Sequence, residues 1–200
     1  ETVQKSLESV YKGFGEMKQL GEQVSNMNRL LGGVKTRGSW GEIALASLLS
    51  DILAPEQYEE QCQVKRGSAE RVDFAVRMPG SEGKEVLLPI DSKFPADDYL
   101  RYADAANAGD SAAAESSLKY FKEAVLRQGR SIRDKYIGSA TTDFAVMYLP
   151  SESVYAEVVR DTALMDRLRH DCGVVPCGPS TMAALLNSLK MGFTAMKLQK

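Results

Sequence analysis

Along residues 1 to 31 the apolar positions Leu7, Val10, Phe14, Met17, Val24 and Leu31 follow a heptad, with Gly21 and Asn28 at the two remaining core positions of the register. Such spacing predicts an amphipathic helix that packs on its own domain or pairs with a second copy in a coiled coil. Gly13, Gly15 and Gly21 weaken it, each costing about 1 kcal/mol against Ala in a helix interior. Gly32 and Gly33 open "GGVKTRGS" and predict a boundary between a segment 1–33 and a domain 34–200. A second helix is expected from Ser39, because "SWGEIALASLLSDIL" places Trp40, Ile43, Ala44, Leu48 and Ile52 at helical spacing. Ser39 and Glu42 have the S-x-x-E spacing of a capping box.

After Pro55 the period falls to two. "YEEQCQVK" (58–65), "ERVDFAVRMP" (70–79) and "KEVLLPIDSKF" (84–94) read as strands, and the short links "RGSA" and "PGSEG" make them an antiparallel meander. Helical spacing returns in "ADDYLRYADAAN" and over residues 111 to 136. A strand "DFAVMYLP", a helix "SESVYAEVVRD", a helix through His170, a strand "GVVPC" and a last helix from Pro179 or Ser180 complete the chain. The expected architecture is therefore an α/β layer fold: helix, three-stranded meander, helices, then further strands and helices around one sheet.

Composition adds little to this outline. At 200 residues, 44% hydrophobic and 26% charged, with a net charge of -2, the chain is an ordinary domain with no global attraction to nucleic acid. No stretch approaches the about 18 consecutive apolar residues that span a bilayer, and no signal peptide is visible, so no membrane contact is expected from this segment. Because it starts at Glu1 and stops at Lys200 inside a helical pattern, it reads as a fragment truncated at its C-terminus. Three cysteines, Cys62, Cys172 and Cys177, suit a reducing compartment such as the cytoplasm. "HDCGVVPC" lacks a fourth ligand for a closed zinc site. With His170 the single histidine, a Ser/His/Asp triad has no supporting context. "GFGEMKQLG" follows no strand, which disqualifies it as a phosphate loop.

The candidate chemistry sits where charge enters the meander. In "VLLPIDSKFP", Asp91 and Lys93 share one face of a strand, since residues two apart project together. Asp73, between Val72 and Phe74, leaves the apolar face of the preceding strand and can lie beside Asp91 across the "PGSEG" turn. Two carboxylates with a lysine two residues on suit a hard divalent ion. Taken singly, Asp73 reads as a solvent-facing strand residue, Asp91 and Lys93 as a structural ion pair, and Glu42 as a cap.

"RVDFAVRMP" followed by "PIDSKFP" resembles the D-x(n)-(D/E)-x-K core of the PD-(D/E)xK nuclease superfamily. "GSWGEIALASLL", "IDSKFP" and "DFAVMYLPSESVYAEV", in this order, resemble more specifically the RmuC family of bacterial DNA recombination proteins, from about Lys35 to the C-terminus. The resemblance implies a restriction-endonuclease-like core preceded by a coiled-coil region. It implies an active site of Glu42, Asp73, Asp91 and Lys93. In it Asp73 and Asp91 ligate Mg²⁺ or Mn²⁺ with help from the Ser92 carbonyl, Glu42 completes or bridges the metal site, and Lys93 positions water. It also leaves room for an inner-membrane anchor N-terminal to this segment. A fold of this kind can persist without catalysis, so a DNA- or protein-binding scaffold stands as the alternative.

Two basic groups are candidates for DNA backbone contact. Lys119, Lys122, Arg127, Arg130 and Arg133 fall on one arc of a helix, opposite Leu118, Phe121, Val125, Ile132 and Tyr136. Glu123 and Asp134 interrupt that arc, as on an ordinary solvated face with pairs such as Glu123 to Arg127. Lys65, Arg66 and Arg71 flank the first strand link. Expected partners are DNA and, through the N-terminal helix, a second copy of the chain.

Overall fold

The structure is a computed structural model and describes residues 34–65, 67–80, 84–92 and 95–198, with the backbone alone at 34–40 and 197–198. The heptad segment, Arg66 and Lys93 lie outside these residues.

Five strands form one sheet in the order of the sequence: β1 (Tyr58–Cys62), β2 (Val72–Pro79), β3 (Glu85–Asp91), β4 (Ala145–Tyr148) and β5 (Val174–Cys177). β1, β2 and β3 are the antiparallel meander expected from the short links, with Phe74 opposite Ile90 and Glu60 opposite Phe74. The Gly80 N–H donates to the Lys84 carbonyl at 2.7 Å and ties the second turn. β4 runs parallel to β3, and β5 parallel to β4. Parallel neighbours need long crossovers, and the helices supply them. α2 (Ala96–Asn107) and α3 (Ser111–Tyr136) join β3 to β4. α4 (Glu152–Arg160), α5 (Thr162–Asp166) and a π-turn (Arg167–Asp171) join β4 to β5. α1 (Val34–Ile52) precedes the sheet and α6 (Pro179–Leu198) follows it.

The sheet is buried on both faces. On one, Phe74, Val76, Leu88, Ile90, Val146 and Tyr148 pack against Leu45 and Leu49 of α1, Leu53 just after it, and Met182 and Leu186 of α6. On the other, Ala75, Ala145, Met147 and Val174 meet Phe121, Val125 and Ile132 of α3, with Val154, Val158 and Leu164 closing the layer. Among the described residues no helix is long and apolar enough to cross a membrane.

Two expectations for α1 need correction. The helix begins at Val34, so Ser39 lies in its interior and the S-x-x-E pattern does not cap it. Such spacing caps only where the preceding residues leave the helix, and here the helix runs on through Gly38. The buried face is also rotated from the one predicted. Leu45, Leu49 and Leu53 are buried, whereas Ile43 is 64% exposed and Ala44, Leu48 and Ile52 are only partly covered. α1 is apolar around most of its circumference, so its period selects no unique face.

α3 packs close to the π-turn at Gly129, where a Cβ would stand 2.6 Å from Leu168 Cδ2 and 3.5 Å from Cys172 Sγ. Leu168 and Cys172 are themselves fully buried and have little room to yield. Gly129→Val is therefore expected to lower stability by about 1–3 kcal/mol through overpacking. Urea unfolding measures it, and an unchanged midpoint would show that this contact is not tight.

Candidate acidic site

The register that sets Phe74 against Ile90 brings Asp73 and Asp91 opposite each other one step further along. Directly opposed residues of an antiparallel pair project from the same face, here the face covered by α3. Asp73 is 3% exposed and Asp91 fully buried. The solvent-facing strand residue that Asp73 resembles in isolation is thus not what the fold makes of it.

Among the described residues, uncharged groups donate to each carboxylate. Asp73 Oδ2 accepts from the Ser92 backbone N–H at 2.8 Å and from Ser92 Oγ at 3.1 Å. Asp91 Oδ2 accepts from Gln128 Nε2 of α3 at 3.3 Å. Tyr136, two turns further along the same helical face, donates its hydroxyl to the Arg71 carbonyl at 3.1 Å. Burial, and after it the charges of Asp91, Asp73 and Glu70, push the Tyr136 pKa above the ordinary phenol range, so it stays a neutral donor. Gln61, opposite Asp73 in the β1–β2 register, has φ 48, a left-handed conformation that costs a non-glycine residue about 1–2 kcal/mol.

Glu42 enters from the other layer. It is half-buried on α1, next to Gly41, where a Cβ would lie 3.5 Å from the Ser92 carbonyl oxygen and 3.4 Å from Pro150 Cγ. α1 therefore touches the end of β3 immediately beside Glu42. Among the described residues, no three His, Cys, Asp or Glu side chains converge as a metal-binding group. The fold brings together Asp73 and Asp91, sets Glu42 at the border, and Lys93 is not among the described residues. An oxygen-only pair still suits Mg²⁺, which is commonly held by one or two carboxylates together with water and substrate phosphate.

The structure separates the two basic groups. Lys65 and Arg71 belong to the rim of the acidic pair. Arg71 Nη1 donates to the Gln61 carbonyl at 2.8 Å, and its own carbonyl holds Tyr136. Lys65 Nζ donates to the Asp134 carbonyl at 2.6 Å, and its stem lies against Gly138. Lys135, which no sequence pattern singles out, pairs with Glu70 at 3.2 Å on the same rim. The arc of Lys119, Lys122, Arg127, Arg130 and Arg133 faces away from the sheet. There Lys122 pairs with Asp161 at 2.9 Å and Arg133 with Asp134 at 2.9 Å, while Lys119, Arg127 and Arg130 are exposed.

The anchoring roles of Ser92, Gln128 and Tyr136 likewise escape a reading of the sequence. A usable signal exists for Gln128, the one polar residue in the otherwise apolar row Phe121, Val125, Ile132, Tyr136.

The cysteines stand apart from this site as buried free thiols. Burial, with the charge of Glu59 next, pushes Cys62 up to about 11, and burial does the same for Cys177. A thiol whose folded pKa exceeds its unfolded value contributes stability that is complete below the ordinary 9.0 and lost as pH rises through about 11. Native protein at pH 8 is expected to leave Cys62 and Cys177 unlabelled by a chromogenic disulfide reagent, with full labelling in denaturant. Stability should fall between pH 9 and 11. Rapid labelling of native protein at pH 8 would contradict the burial.

Comparison with known proteins places this geometry in context. The family model described as "RmuC family" matches residues 1–200. The chain is 45% identical over 201 residues to a DNA recombination protein RmuC homolog of Xylella fastidiosa (strain Temecula1), covering 99% of this chain and 44% of that protein. It is 32% identical over 146 residues to the DNA recombination protein RmuC of Escherichia coli (strain K12), covering 68% and 29%. A homolog from Pseudomonas aeruginosa is 26% identical over 176 residues, covering 84% and 37%. The chain thus spans less than half the length of these curated relatives. No solved structure matches it.

Proposed function

The chain belongs to the RmuC family, and from that premise we propose that it carries the metal-dependent DNA phosphodiesterase site of a recombination protein, processing DNA intermediates. The observation that supports this is the buried pair Asp73 and Asp91, opposed on the central strands, with Ser92 donating to the first and Gln128 to the second. Paired carboxylate oxygens at one strand end are the donor set that a hard divalent cation takes. Asp73 and Asp91 would hold Mg²⁺ or Mn²⁺, with the Ser92 carbonyl at the same strand end and Glu42 bordering it from α1. When bound, such an ion polarises a phosphate and lowers the pKa of a coordinated water.

The chain's own residues do the rest. Ser92 keeps the Asp73 carboxylate oriented through its N–H and hydroxyl. Lys93, two positions after Asp91 in sequence, is assigned to orient the attacking water and offset the charge that develops on the phosphate. Lys65 and Arg71 beside the pair, and Arg66 next to Lys65 in sequence, are assigned to the DNA backbone, and the outer arc of α3 offers a further salt-sensitive, sequence-independent surface. Self-association is assigned to the heptad-like residues 1 to 31.

End-labelled single- and double-stranded DNA, incubated with the purified chain in Mg²⁺, Mn²⁺ or EDTA, tests the proposal. Metal-dependent products are expected. Lys93→Ala should reduce them by about 10²–10³-fold, and Asp91→Ala should abolish them in a chain that still unfolds cooperatively. DNA retained without products, and unaffected by either substitution, would replace this function with that of a binding scaffold.

A further inference from the structure

Along the sheet-facing side of α3, Phe121, Val125, Ile132 and Tyr136 are all buried. Gln128 occupies the centre of that row. A half-buried amide there must find a hydrogen-bond partner or lose its hydration without return. Its partner is the Asp91 carboxylate, Oδ2 to Nε2 at 3.3 Å. An apolar residue would continue the packing of the row, so packing does not call for glutamine. A lysine or arginine would satisfy Asp91 but would also cancel its charge. Glutamine fixes a carboxylate oxygen without adding a charge of its own, as the Ser92 N–H and hydroxyl do for Asp73.

Resting on the cation site proposed above, we infer that Gln128 is a positioning residue: it holds the Asp91 carboxylate in the orientation that ligates the divalent ion. Partners of this kind typically change metal affinity by about 10–100-fold in other metal sites, because an unanchored ligand must be ordered as the ion binds.

Mn²⁺ binding to the purified chain by titration calorimetry, with thermal unfolding alongside, tests this without any DNA. Gln128→Leu is expected to weaken Mn²⁺ binding by about tenfold, with a modest fall in the metal-free melting temperature because Asp91 loses a donor. Asp91→Asn should eliminate binding. Wild-type affinity in Gln128→Leu, with binding lost in Asp91→Asn, would overturn the positioning role and leave the cation site standing. A wild-type chain that takes up no Mn²⁺ would remove both. Should Gln128→Leu fail to fold, Gln128→Glu decides. A carboxylate set against Asp91 should lower the metal-free melting temperature and enlarge the Mn²⁺-induced rise beyond that of the wild type. An Mn²⁺-induced rise no larger than the wild type's would overturn the inference.

Discussion

Everything at the acidic site follows from the register of one strand pair. With Phe74 opposite Ile90, the side chains of Phe74, Val76, Leu88 and Ile90 fill the core beneath α1 and α6. The alternate positions, Asp73 and Asp91 among them, turn toward α3. A slip of either strand by one residue would drive its carboxylate into the apolar layer and bring its core residues out of it. The hydrophobic demand of one face thereby dictates where charge collects on the other. β4, pairing parallel to the end of β3 at Ile90 and Asp91, encloses that charge further.

α3 is the element that makes the charge tolerable. Its sheet-facing row contributes packing through Phe121, Val125 and Ile132, a neutral donor to Asp91 through Gln128, and a phenol at Tyr136 that reaches the β1–β2 link. The Asp110 side chain caps its start by accepting from the Ala113 N–H at 3.0 Å. Its outer arc carries the basic residues, so one helix presents neutral donors to the acids and positive charge to solvent. The two faces are far enough apart in angle that the outer arginines do not neutralise the carboxylates directly. Among the described residues, positive charge nearer the pair comes from the rim, where Lys65, Arg71 and Lys135 are each already engaged by a carbonyl or by Glu70.

Much of this arrangement is legible in the order of residues alone. Alternation in "RVDFAVRMP" and "KEVLLPIDSKF", with a short turn between them, suffices to predict adjacent antiparallel strands and to put Asp73 beside Asp91. The order of helices and strands follows from changes of period, and the apolar face of α3 reads correctly because its polar and apolar sides differ sharply. α1 reads less well, in both its start and its buried face. Its apolar residues nearly encircle it, and its capping pattern is purely local. Only contact with the sheet chooses Leu45, Leu49 and Leu53 over Ile43.

By itself the sequence determined the secondary elements, the pairing of the meander and the presence of two acids on one face, because each depends on neighbours close in the chain or joined by a short turn. The tertiary structure alone decided that both acids are buried, that Gln128 and Ser92 anchor them, and that Glu42 approaches from the opposite layer. Those facts depend on the packing of α3 and α1 against the two faces of the sheet. Asp91 and Gln128 are 37 positions apart, and no local period carries information over that distance; the crossover through α2 and α3 does.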